Sequence, residues 1–237
     1  MFLAANISHP ERFWAANRPS PRRNSFRAGL GLNRHFVVSF AGIMGLSQDL
    51  ETVLKTAYLL KDYRKIVFLL VGDGVEKAGL MARARQENLD NVVFLPMQPK
   101  EKYPEVLAAS DLCLATLRGE VQTPVVPSKI LNIMAAGRPV LACMSLQGDA
   151  PRLIDKAGCG ICLPPGNAAA LAEAVLRFYR DPDLGKQMGA DGRRYAVQHF
   201  SLSRGVARLE KLLALVASGA GRQSERSSRE PGPRGKQ

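Results

Sequence analysis

The chain has 237 residues, 46% hydrophobic and 23% charged, with a formal net charge of +12, enough to bury a core without disulfides or metals. The charge sits at the ends: Arg12, Arg18, Arg22, Arg23, Arg27 and Arg34 against Glu11 give residues 1–34 a charge of +5, and residues 218–237 carry +3. Such ends read as solvated tails with at most weak attraction to anionic lipid, and no RNP, zinc-finger or helix-turn-helix signature points to nucleic acid.

Residues 1–34 are rich in Pro, Asn and Arg and read as a linker-like or partial element. One domain is expected over 35–217, in which short apolar runs alternate with amphipathic ones. HFVVSFAGI (35–43) predicts a strand, and 47–62 a helix with Leu50, Val53, Leu54 and Ala57 on one face. IVFLLVGDG (66–74) predicts a buried strand and a glycine turn, followed by a helix over 76–88. VVFLP (92–96), LCLATL (112–117), PVLACM (139–144) and GICLPP (160–165) are the remaining strands. Helices are expected at 101–110, 128–137, 149–157, 167–180, 184–198 and 202–217, with Ser128 as an N-cap and Gly137 as a left-handed C-terminal cap. Residues 218–237 read as a disordered basic tail.

The strands are apolar throughout, the pattern of a parallel sheet covered on both faces. Six strand–helix units predict an α/β, doubly wound, Rossmann-like sheet, with ligands outside the carboxyl ends of the strands. Cys113, Cys143, Cys159 and Cys162 read as core residues, since C-x-x-C at 159–162 has neither a second pair nor a nearby His to complete a metal site. No metal is expected. His9, His35 and His199 fall outside the candidate loops and read as structural or incidental. The start lacks the pattern of a signal peptide, and the apolar run Ile66–Val71 is too short to span a bilayer. A cytoplasmic chain is expected, touching the inner membrane face peripherally if at all.

Three glycine loops follow strands. FAGIMGLSQDLE holds Gly42 and Gly45, where backbone can approach a ligand ahead of a helix N-terminus. It is not G-x-G-x-x-G, so the dinucleotide fingerprint fails. The second loop is Gly72, Asp73 and Gly74. The third, TPVVPSKILNIMAAGRPVLA (123–142), is the most specific. Pro127 stops earlier structure, and the amides near Ser128 and Lys129 with the helix dipole make an anion site to which Lys129 adds a full charge.

Together these segments resemble the C-terminal domain of family 4 retaining glycosyltransferases, one half of the two-domain GT-B fold. FAGIMGLSQDLETVL, FLLVGDG, NVVFLPMQPKEKYPEVLAASDLCLATL, PSKILNIMAAGRPVLA and AGCGICLPPGNAAALAEAV occur in the family's order. G-x-M-G-L-S-Q with P-S-K is similar to the O-antigen and capsule subgroup of fucosamine-type transferases. The resemblance implies a UDP- or GDP-linked sugar donor and no other cofactor. Gly42, Gly45 and Gln48 would lie near the diphosphate. Gly72, Asp73 and Gly74 would border the nucleotide pocket, and Met97 and Gln98, before Pro99, would sit near the base. Pro127, Ser128 and Lys129 would form the diphosphate site, and Asn132 would reach a ribose hydroxyl.

Some positions depart from the family. The paired glutamates of many members are Pro124 and Asn132 here, and the Arg and Lys that follow the first strand are Ile43 and Gln48. Lys129, and also Arg118, are candidates to supply the missing charge. No acceptor domain is recognisable upstream of residue 35, so catalytic residues are not assigned and a separate acceptor half is expected as partner. A truncated or degenerate nucleotide-binding module without catalysis is the alternative. An epimerase or dinucleotide-dependent oxidoreductase shares the sheet but not the phosphate loop.

Overall fold

The computed structural model describes residues 24–121 and 126–217. Most of the linker-like segment, Pro124 and the basic tail lie outside these residues. The elements run α1 (Ser25–Gly29), β1 (Phe36–Ala41), a 3-10 turn (Leu46–Gln48), α2 (Leu50–Leu59), β2 (Ile66–Val71), α3 (Lys77–Gln86) and β3 (Val92–Leu95). They continue as α4 (Tyr103–Ala108), β4 (Leu112–Thr116), α5 (Ser128–Ala135), β5 (Val140–Cys143), α6 (Asp149–Ala157) and β6 (Gly160–Leu163). Helices α7 (Ala168–Arg180), α8 (Pro182–Phe200) and α9 (Leu202–Ala217) close the described chain.

The six strands form one parallel sheet in the order β3-β2-β1-β4-β5-β6. The expected doubly wound sheet is therefore present. Its physical basis is visible in β2, buried along its whole length. In β1, Val38 and Phe40 pack under α2, α3 and α7, while Val37 and Ala41 pack on the opposite face with Val106 of α4. Helices on both faces leave no wet side, so alternation in the sequence disappears. Leu50, Val53, Leu54 and Ala57 are all fully buried, as their spacing predicts.

Several boundaries differ from expectation. The helix expected from 47 begins at Leu50, because Gly45 precedes a 3-10 turn and Asp49 takes a left-handed conformation at φ 48°. Strands β1 and β6 end two residues early, where glycine or proline turns take over, while β2 gives way at Val71 to the expected glycine turn. Ser128 is the first helical residue of α5, not its cap; Pro127 holds the cap position, and no side chain caps the end. Gly137 does terminate α5 in the left-handed region at φ 66°, with Gly137 and Arg138 amides donating to Met134 and Ile133.

Arg27 corrects the reading of the basic N-terminal end as a solvated tail. Its side chain is 1% exposed and pairs with Asp111 at 2.9 Å. It also donates to the carbonyls of Leu32, Ala109 and His35. Asp111 in turn accepts from the Val37 amide at 2.8 Å. One buried guanidinium thus ties α1 to the start of β1, the end of α4 and the entry to β4.

The four cysteines are free thiols; Cys113, Cys143 and Cys159 are buried and Cys162 partly so. Burial pushes the Cys159 thiol up to about 12 and the other three up to about 11. All four stay protonated at neutral pH, as core residues do. No helix among the described residues is long and apolar enough to cross a membrane.

Candidate donor site at the sheet switch point

The sheet order fixes where a ligand can lie. From β1 the chain winds outward one way to β2 and β3, and from β4 the other way to β5 and β6. The loops after β1 and β4 therefore part, and the crevice opens between them at the carboxyl edge. The β1 loop holds Gly42–Gln48, and the long connection after β4 ends at the N-terminus of α5.

Lys129 joins the two sides. Its Nζ donates to Gln48 Oε1 at 2.6 Å, lies 4.0 Å from the centre of the Phe40 ring, and passes beside Gly42. A Cβ on Gly42 would sit 3.7 Å from that Nζ. Gln48 is held in turn: its carbonyl accepts from Thr116 Oγ1 at the end of β4, and its Nε2 donates to Ser47 Oγ at 3.3 Å. The structure thus brings Gly42, Gln48, Ser128 and Lys129 to one place, with Gly45 and Pro127 in the flanking backbone. The Ser128 and Lys129 amides lie in the first turn, with no helical carbonyl one turn before them. Such free amides and the helix dipole favour an anion at the start of α5.

Desolvation lowers the Lys129 ammonium from its ordinary 10.5 to about 7. The group is half-buried beside Gly42 and over the Phe40 ring, and its partner Gln48 is neutral. Among the described residues no carboxylate forms an ion pair with this ammonium. Between pH 7 and 10.5 the unfolded chain binds more protons than the folded one, so folding stability should rise with pH across that window. Lys129→Met should flatten that rise and be more stable than the parent near pH 7; urea melts at pH 7 and 9 check both.

Gly72 and Gly74 pack directly against the loop that follows β1. A Cβ on Gly72 would fall 1.8 Å from the Gly42 carbonyl oxygen, and one on Gly74 2.4 Å from that of Met44. These glycines face the neighbouring loop. The Gly42 amide donates to Val71, Met44 to Asp73, and Glu76 back to Met44. Lys77 Nζ seals the base of the turn through the carbonyls of Gly72 and Leu95, at 2.8 and 3.2 Å. Asp73 turns onto the Gly74 amide at 2.9 Å.

Other expected residues stand apart. Met97 and Gln98 follow β3 at the sheet edge, two strands from β1; Met97 is exposed and Gln98 folds onto the Pro96 carbonyl. Asn132, one turn along α5 from Lys129, lies beside Tyr103 of α4. Sequence reasoning missed Phe40, Thr116 and Glu76. Phe40 reads only as another strand residue, and Glu76 had a signal in its place just after a glycine loop. Among the described residues no group of three or more His, Cys, Asp or Glu could hold a metal ion. A second hollow, lined by Lys55, Tyr58, Leu59, Arg83 and Glu87, lies between the C-terminal halves of α2 and α3.

A family model described as glycosyl transferases group 1 matches residues 35–181. The Pseudomonas aeruginosa protein WbjE, a probable glycosyltransferase, is 32% identical over 139 residues, 59% of this chain and 34% of WbjE. Among solved structures, Anabaena HepE in complex with UDP superposes with a TM-score of 0.74 at 20% identity, over 85% of this chain and 55% of HepE. The C-terminal domain of the group 1 glycosyl transferase LpcC from Francisella tularensis superposes at 0.66 and 16% identity, over 79% of this chain and 97% of that domain. These two likenesses establish the fold. The chain spans about a third of WbjE's length, and nothing in the comparisons singles out the fucosamine-type subgroup.

Proposed function

This chain belongs to the group 1 glycosyl transferases, and on that premise we propose that it is the half of such an enzyme that holds the nucleotide-sugar donor. The observation that carries the reading is the Lys129 ammonium, held at the switch point beside Gly42 and Gln48 with the α5 amides around it. That site offers a diphosphate two kinds of ligand, backbone N–H and a desolvated cation. In glycosyl transfer the bond from C1 of the sugar to the diphosphate breaks, and negative charge grows on the departing diphosphate. Donors aimed at that charge lower the barrier, more so where water is scarce. The matching of this chain to an LpcC C-terminal domain, and of the same fold to a UDP complex, supports the assignment.

The reaction proposed is transfer of a hexose or N-acetylhexosamine, with retention, from UDP or GDP to a polysaccharide or lipid-linked acceptor. A separate acceptor half would complete the cleft, and contact with an inner membrane face would be peripheral. A second reading has one observation in its favour. Asn132 stands where many relatives carry a carboxylate, and it lies beside Tyr103 of α4 rather than against Lys129 or Gln48. A nucleotide-binding module without catalysis is therefore the alternative.

Titration of UDP, GDP and NAD into the chain tests the assignment. Saturable binding of UDP or GDP, with NAD silent, is expected; binding of NAD alone would replace it with a dinucleotide function. Transfer restored by adding an acceptor half would exclude the non-catalytic module.

A further inference from the structure

Arg118 follows β4 and lies across the β1 loop. Its amide donates to the Ser47 carbonyl at 2.9 Å, and its guanidinium reaches Glu76 Oε1 at 2.8 Å. Glu76 sits past the second glycine loop, and its own amide donates to the Met44 carbonyl at 3.1 Å. The arginine therefore spans the backbone of residues 44–47, beside the Gln48 that Lys129 holds.

The pair is half made. Arginine and carboxylate match as a fork, two N–H groups to two oxygens. Here one contact forms, and Arg118 Nε and Glu76 Oε2 are buried without a partner. Buried orphans of this kind are uncommon and cost free energy, so an arrangement that satisfied them would be favoured. Both backbones are tied to the β1 loop by their amides, but the Glu76 side chain is 13% exposed and the longer Arg118 side chain 38%. The arginine is the partner free to move.

We propose that Arg118 is a second cation of the donor site, held in reserve by Glu76 and delivered to the diphosphate when the donor binds. The inference rests on the donor-site reading above. It also answers the charge problem there. A diphosphate carries more charge than Lys129 alone can neutralise, and desolvation lowers the Lys129 ammonium to about 7. A guanidinium is a permanent cation with a fork of N–H donors suited to phosphate oxygens. Glu76 supplies the counter-charge while the site is empty, so the unliganded crevice does not hold two unpaired cations.

The competing possibility is that the pair only clamps two loops. The two ideas differ in sign at Glu76. If Glu76 holds Arg118 back, Glu76→Gln releases it and UDP binds more tightly, by about threefold or more. If the pair is a clamp, Glu76→Gln loosens the site and UDP binds no better, or worse.

The test is calorimetric titration of UDP and uridine into the parent chain and into Arg118→Gln, Arg118→Lys, Glu76→Gln and Lys129→Met, each first checked by thermal melt. Arg118→Gln should weaken UDP binding about tenfold and Arg118→Lys less, with uridine binding unchanged in both. Should GDP be the base preferred, GDP and guanosine replace the pair. UDP affinity kept in Arg118→Gln but lost in Lys129→Met would overturn the role of Arg118 and leave the donor site standing. An equal loss of uridine and UDP binding would reduce Arg118 to a clamp. A parent chain that binds neither diphosphate would overturn the donor site and this inference together.

Discussion

Gly72→Ala should destabilise the domain by about 3 kcal/mol or more, and Gly79→Ala should not. The added methyl at Gly72 would fall 1.8 Å from the Gly42 carbonyl oxygen, a backbone atom with no rotamer to change. The position also lies at φ 156°, where a side chain is strained. Overpacking of a close-packed interior and backbone strain each typically contribute about 1–3 kcal/mol. Against a total stability of about 5–15 kcal/mol this is a large fraction. The change would also drive apart the loops after β1 and β2, breaking the Gly42–Val71 and Met44–Asp73 hydrogen bonds. Gly79, in α3, has no atom within 4 Å of its missing Cβ. Alanine there should stabilise by about 0.5–1 kcal/mol through helix propensity. Urea melts of the two variants check the contrast, and a loss under about 1 kcal/mol at Gly72 would mean that the loops are not packed as described.

Lys129→Met should weaken binding of UDP or GDP by about 1–3 kcal/mol, roughly five- to 150-fold, the range for a charge-assisted hydrogen bond. The variant should meanwhile be no less stable than the parent, because the ammonium has only a neutral partner. Loss of affinity without loss of stability separates a ligand-binding lysine from a structural one. The proton balance gives a second readout. Above pH 7 the lysine is largely neutral in the free chain, and a diphosphate beside it favours the charged form. Binding should therefore take up as much as one proton, and the heat of binding should vary with the ionisation enthalpy of the buffer. Lys129→Met should abolish that variation.

How much of this was legible in the sequence follows from how each residue finds its partner. The strands were, since burial on both faces leaves continuous apolar runs. The buried face of α2 and the Gly137 cap were also legible, because both are local patterns. Arg27 was not. A lone arginine in a Pro-rich basic stretch carries no mark of burial, and its partner Asp111 lies far along the chain. Gly72 and Gly74 were legible as necessary glycines but not as what they face. A missing Cβ looks the same whether a ligand or the Gly42 carbonyl fills the space. Asn132 shows the same limit, since its contact with Tyr103 depends on how α4 and α5 pack. The Lys129 site was legible because a proline, a helix start and a lysine coincide within three residues. That the ammonium would end over the Phe40 ring required the sheet.

The most direct test of the account is to follow backbone amide resonances during a titration with UDP or GDP. The largest shifts should fall on residues 42–48 and on Ser128, Lys129 and Ile130, the two sides of the crevice. Saturable shifts centred instead on Lys55, Tyr58 and Arg83, in the hollow between α2 and α3, with the Gly42 loop and the start of α5 unmoved, would contradict it.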